Sequence, residues 1–248
     1  DSLGLSTFNL GIDGQTFDMQ YFRHLLALKN NPKPTLIIHS LDIGSLQRSN
    51  LYNPDQFLPY MLWDEMFYDR LSKYEGYSYF DYKIPLVRYY GRYDAIKTAI
   101  KLKLNLPEEP GRIRGYQPHD MEWNDDFENA RMSMEGYRSI ADSLTEILFD
   151  KYLHECKEQG ICIILVYSPY YIEGQQFIEN QAEVIDMYRM FARKYDLLFL
   201  DFTKDEICLD KSYFYNASHM NRSGAELFTR KLCSQILLHQ RTSACKLQ

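Results

Sequence analysis

The 248-residue chain lacks several features that would settle its class at once. No run of ~18 apolar residues occurs, so nothing in it has the length of a membrane-spanning helix. Positive charge is in deficit: 28 Lys and Arg stand against 34 Asp and Glu, a formal charge of −6. That balance argues against a nucleic-acid binder, which tracks phosphates with a basic face. The five cysteines, Cys156, Cys162, Cys208, Cys233 and Cys245, are odd in number and contain no C-x-x-C spacing. Neither a zinc site nor a disulfide framework is indicated, which leaves buried thiols and at most a bridged pair. No G-x-G-x-x-G or G-K-[ST] phosphate loop occurs. The opening Asp1-Ser2-Leu3-Gly4 has no initiator Met and no secretory signal. What is there is ordinary for a globular protein, with 45% hydrophobic and 25% charged residues, and the length suffices for a large core.

Strand and helix patterns alternate at both ends of the chain. Phe8-Asn9-Leu10 is a short extended piece that ends in the turn composition Gly11-Ile12-Asp13-Gly14. A helix is predicted from Thr16 to about Lys29, because Phe17, Tyr21, Leu25 and Leu28 share one face. Thr35–Leu41 reads as a strand buried on both faces. Further on come a helix over about Ser139–Glu158, with Ile140, Leu144, Leu148 and Tyr152 facing inward, and the strand Ile161–Tyr167. A helix over about Gln175–Lys194 carries Val184, Tyr188, Phe191 and Tyr195 on its inner face, and the strand Leu197–Phe202 follows. The last helix, about Ser223–His239, buries Ala225, Phe228, Leu232 and Ile236, and Ser223-x-x-Glu226 fits a capping box at its start. The pattern predicts an α/β fold, a parallel sheet with helices on both faces. Residues 47–130 break the rhythm. Ten of the 21 tyrosines lie between Tyr52 and Tyr93, and the stretch reads as a mostly helical, Tyr-rich insertion within one domain.

Ligands of open parallel sheets bind at the carboxyl ends of the strands, which directs attention to Asn9–Gly14, His39–Asp42, Ser168–Tyr171 and the segment Tyr215–Asn221. In the last of these, a His stands just before a C-terminal helix with an amide three residues earlier. Asn216-x-x-His219 resembles the D-x-x-H of SGNH (GDSL-type) hydrolases, and His219-Met-Asn221-Arg-Ser-Gly224-Ala225 resembles that family's H-L-N-x-x-G-A. Asn9-Leu-Gly11-Ile-Asp-Gly14 resembles its N-x-G-x-x-G block. Together with Ser168-Pro169-Tyr170-Tyr171 and the insertion, these look most like envelope-associated members of Bacteroidetes type.

The resemblance implies a three-layer, flavodoxin-like sheet and a serine esterase or acyltransferase that acts on an O-acyl ester, plausibly of an envelope glycan. It also implies a periplasmic or cell-envelope location. His219 is then the general base, Asn216 its orienter and Gly14 an oxyanion donor. Asn9, Asp42, Ser168 and Tyr170 are the substrate-binding candidates. No metal, organic cofactor or nucleic-acid partner is implied; the partner is a small-molecule or glycan ester.

Three departures stand beside it. Asn216 replaces an Asp, a change that costs on the order of 10⁴ in rate in a serine-protease triad. His39-Ser40-Leu41-Asp42 lacks the third-block Asn. The Gly-Asp-Ser block with the nucleophile is absent, as is the first strand that carries it. The family's sheet order is 2-1-3-4-5, so an interior gap is expected beside the strand Thr35–Leu41, to be filled by a strand and serine upstream of Asp1. Ser40 and Ser168 are substitute nucleophiles, although neither sits in a G-x-S-x-G elbow. A catalytically decayed carbohydrate-binding or assembly module is the alternative reading.

Overall fold

The computed structural model describes residues 3–11, 14, 17–48, 58, 80, 84, 86–106 and 113–240. The chain divides into two compact units, one of Asp1–Arg48 with Ile113–Gln248 and the other of Ser49–Arg112. The second unit is the core of the expected insertion, while the stretch from Ile113 to residue 130 belongs to the first. Most of the tyrosine-rich segment lies outside the described residues.

In chain order the first unit contains α1 (Phe17–Asn30) and β1 (Leu36–Leu41). In the second unit, a 3-10 turn at Val87–Tyr89 precedes α2 (Tyr93–Lys103). The first unit then resumes with α3 (Asp126–Ser133), α4 (Ser143–Glu158), β2 (Cys162–Tyr167), α5 (Ile172–Gln176), α6 (Gln181–Tyr195) and β3 (Leu198–Asp201). A two-stranded ribbon, β4 (Phe214–Asn216) and β5 (His219–Met220), leads into α7 (Arg222–Gln240).

The main sheet is parallel with order β1-β2-β3, and its register pairs Leu41 with Tyr167 and Tyr167 with Asp201. Alternation along the strands divides the apolar residues between two cores. Leu41, Ile163, Leu165 and Tyr167 pack with Phe17 and Tyr21 of α1, Phe149 and Tyr152 of α4, and Tyr188 and Phe191 of α6. Ile164, Val166 and Leu200 face the other way, against Leu232 and Ile236 of α7. Helices therefore cover both faces, and the doubly buried β2 explains why its sequence is apolar without alternation.

Several expectations are corrected in detail. Phe8–Leu10 forms no strand: Phe8 and Leu10 are exposed, and the Asn9 N–H donates to Arg114 O at 2.8 Å instead of to a sheet neighbour. The sheet is continuous over its three strands, so the expected interior gap is not seen, and β1 forms an edge among the described residues. Helix α4 begins one residue after Asp142, whose carboxylate accepts from the Thr145 N–H at 2.9 Å. The helix turns Thr145, Phe149, Tyr152, Leu153 and Cys156 inward, leaving Ile140 and Leu144 exposed. Phe149 explains the rotation, since its ring meets Phe17 at 4.9 Å and Phe191 at 5.1 Å, contacts a Leu144 face would forfeit. Helix α6 starts later than expected because the Asn180 side chain bonds both the N–H and the C=O of Ser139. Cys162 is disulfide-bonded, whereas Cys156, Cys208 and Cys233 are free; Cys245 lies outside the described residues.

One polar side chain of β1 packs against the first core. His39 on β1 packs on Phe17, Phe149 and Tyr152, with centroid distances of 5.7, 5.7 and 5.4 Å. Its Nε2 is sealed from solvent with no hydrogen-bond partner among the described residues. Burial, and secondarily His24 nearby, pushes the imidazole down to about 4. The neutral ring is the form that folds. An unfolded His takes its proton near pH 6.5, whereas the folded one resists until about 4. His39 thus contributes stability that is complete above pH 6.5 and is lost as pH falls toward 4. Replacement His39→Phe is expected to remove on the order of 2–3 kcal/mol of acid sensitivity across that window. Urea unfolding of both proteins at pH 7 and pH 4.5 measures it, and an unchanged pH dependence would refute the assignment.

Candidate active site

The Asn216–His219 pair is built by a turn. Strands β4 and β5 are antiparallel, with Asn216 opposite His219 and only Ala217-Ser218 between them. Asn216 Oδ1 accepts from the backbone N–H groups of Ser218 at 3.1 Å and His219 at 2.9 Å, the Asx-turn arrangement that explains the three-residue spacing. The same oxygen lies 2.9 Å from His219 Nδ1.

The direction of that contact follows from what lies behind the amide. Asn216 Nδ2 is 3.1 Å from Asp126 Oδ2, and a carboxylate only accepts, so the NH₂ group must face Asp126. The oxygen then faces His219, which the two backbone donors require independently. Nδ1 must carry the proton, and the basic lone pair of the imidazole resides on Nε2. Ser218 Oγ, 3.0 Å from Nδ1, is a further acceptor for the same proton. The exposed His219 ring stacks on Tyr215 at 5.5 Å and 17°.

The frame around the pair is held from two sides. The Asn124 N–H donates to Tyr215 O at 2.8 Å, and the Arg222 N–H donates to His119 O at 2.9 Å, so the segment 119–126 clasps the ribbon. Asn124 Nδ2 also donates to Asp126 Oδ2 at 2.8 Å, which aims the carboxylate. On the other side the Tyr171 N–H donates to Ala217 O at 3.0 Å, tying the turn to the segment after β2. Below the ribbon, α7 is capped by Asn221, not by Ser223. Asn221 Oδ1 accepts from the Gly224 N–H at 3.1 Å and from Ser223 Oγ at 2.8 Å, while Glu226 pairs with Arg222. Gly224 is required by close approach: a Cβ there would sit 2.2 Å from Tyr213 O.

Of the other sequence-predicted residues, Ser168, Asp42 and Tyr170 follow the carboxyl ends of β2 and β1. Ser168 Oγ and Ser40 Oγ are 2.9 Å apart, joining the ends of β2 and β1. Asp42 closes a turn by accepting from the Gly44 N–H at 2.7 Å. Tyr170 is buried beside Tyr167, and its phenol is raised well above the usual range, first by burial and then by Asp42. Asn9 accepts from the Gly11 N–H at 2.7 Å and is exposed. Gly14 sits in an exposed turn at φ +67°, the left-handed conformation that favours glycine. The structure does not bring Gly14 into hydrogen-bonding contact with Asn216 or His219. Asp126 and Asn124 were missed by sequence reasoning. They lie about 90 residues before the ribbon in an acidic stretch with no periodicity, and nothing local announces their role.

Two expected outcomes test this construction. Gly224→Ala forces α7 away from Tyr213 and is expected to cost about 1–3 kcal/mol in urea unfolding; a neutral result would show that the close approach relaxes freely. Asp126→Leu is expected to reduce the Nδ1–H tautomer of His219, read from imidazole ¹⁵N shifts, while Asp126→Asn, which keeps an acceptor for Asn216 Nδ2, retains more of it. Equal tautomer populations in all three proteins would remove Asp126 from the relay.

Compared with known proteins, the chain matches no protein-family model, no curated protein and no solved structure.

Proposed function

We propose that the chain acts as an SGNH-like serine esterase or O-acyltransferase on an O-acyl ester, with an envelope glycan ester as the substrate class and a flavodoxin-like sheet as the scaffold. The observation that carries this reading is the Asp126–Asn216–His219 series of hydrogen bonds on the ribbon that leads into the last helix. It gives an exposed imidazole a fixed tautomer with its lone pair on Nε2, which is what a general base requires. In the proposed reaction a serine attacks the ester carbonyl, and its proton passes to His219 Nε2. The Gly14 N–H stabilises the oxyanion. Collapse expels the alcohol, which takes the proton from Nε2, and the acyl group then passes to water or to a second hydroxyl. No step calls for a metal or an organic cofactor. The disulfide at Cys162 supports a location in an oxidising compartment such as the periplasm.

A second reading, a decayed binding or assembly module, is favoured by the neutral Asn216. The two separate on fluorophosphonate labelling of the full-length protein with mass-spectrometric location of the adduct. The enzyme is expected to label at one serine, and His219→Ala should slow labelling by about 10²–10⁴-fold. Absence of labelling supports the binding module, and labelling indifferent to His219→Ala removes His219 as the base.

A further inference from the structure

His219 is reached by the Asp126 charge only through a neutral amide: Asp126 Oδ2 is 3.1 Å from Asn216 Nδ2, and Asn216 Oδ1 is 2.9 Å from His219 Nδ1. That contact directs Nδ1 but leaves two needs unmet. A ring held at one nitrogen can still roll about the line of that bond. A neutral orienter also stabilises an imidazolium less than a carboxylate in direct contact does. The Tyr215 ring is placed to meet both needs. It lies 5.5 Å from the imidazole at 17°, in the offset-stacked range, and so fixes the plane of the ring. Its face carries negative charge density, which attracts a cation within about 6 Å. Tyr215 is itself held by the ribbon, where its carbonyl accepts from the Asn124 N–H at 2.8 Å.

Resting on the reading of His219 as a base, we propose that Tyr215 is its positioning residue: the ring holds the imidazole plane so that Nε2 keeps one direction, and its face stabilises the imidazolium formed when Nε2 takes a proton. An aromatic face thus supplies part of what a carboxylate at position 216 would supply. Apart from Asp126, the titratable groups on the elements around the ribbon are engaged elsewhere or act in the opposite sense. Arg222 of α7 is paired with Asp120 and Glu226, each at 3.1 Å. The Tyr171 hydroxyl, on the segment after β2, donates to Glu173 at 3.3 Å. His119 lies against the same Tyr215 ring at 6.1 Å and 50°, so its protonation opposes that of His219.

The test is NMR titration of the His219 imidazole in the full chain, in wild type, Tyr215→Phe, Tyr215→Leu and Tyr215→pentafluorophenylalanine. The last of these keeps the shape of the ring and reverses the charge of its face. Tyr215→Phe is expected to keep the wild-type midpoint and the upfield ring-current displacement of the His219 ring protons. Tyr215→Leu should lower the midpoint by about 0.4–0.7 pH units, the equivalent of an exposed cation–π contact, and the fluorinated ring should lower it at least as far. Where Tyr215→Leu disturbs the ribbon, seen as loss of the Nδ1–H tautomer, the two aromatic variants decide the matter alone. A fluorinated variant that titrates like Tyr215→Phe overturns the proposal, as does absence of the ring-current displacement in wild type. An ordering that disappears when His119→Gln is added assigns the shift to the second imidazole and equally overturns it. Fluorophosphonate labelling is a separate readout: a chain that never labels refutes the esterase reading, whereas the order of the midpoints requires no serine.

Discussion

The first unit depends on β2 being buried on both sides. Cys162–Tyr167 pairs with β1 along its whole length and with β3 over its last four residues, and its side chains alternate between two cores. A strand with neighbours on both edges and helices on both faces leaves no backbone group to water, so its position tolerates little displacement. Everything at the carboxyl edge inherits that position. Ser168 meets Ser40 because the register places Ser40 opposite Val166, and the segment after β2 reaches across to Ala217. The ribbon bearing His219 is thus fixed to the strongest part of the sheet although its own strands are only three and two residues long.

Within that frame one oxygen organises the candidate site. Asn216 Oδ1 closes the turn and accepts the imidazole proton, and the NH₂ group of the same amide donates to Asp126. An Asp at position 216 would keep the turn but set two carboxylates about 3.1 Å apart, where like charges force them to share a proton. The neutral amide avoids that conflict. It transmits part of the Asp126 charge to the imidazole by polarisation, since hydrogen bonds in series strengthen one another. The amide at position 216 therefore comes with a carboxylate behind it, that of Asp126, in the same series of hydrogen bonds.

Legibility in the sequence followed the range of the interactions. The strand 161–167 was readable because double burial writes itself as an unbroken apolar run. The strand 35–41, expected to be buried on both faces, is an edge strand among the described residues that leaves Ile38 and Ser40 exposed, and it was readable only from its β-rich composition. The inner faces of α6 and α7 were readable from the helical period. Phe8–Leu10 misled because two apolar residues flanking Asn9 beside a glycine turn look like a strand end, yet lack the length to compete with the contact to Arg114. The start of α4 was misjudged because Ile140 and Leu144 share the period of Leu148 and Tyr152, which do pack on the core, and only packing against Phe17 and Phe191 distinguishes them. Asn216 and His219 were legible because three-residue spacing is local. Asp126 was not, because its contribution is made across the fold.

The position of the charge also bears on how strongly Asp126 acts on the His219 ring. Coulomb attraction falls with distance and with the local dielectric, so a carboxylate acting through an intervening amide at an exposed site stabilises an imidazolium less than one in direct contact. The retention of two bonds beyond the turn itself, from His219 Nδ1 and to Asp126, exceeds what closing the ribbon requires, because the two backbone donors already close it.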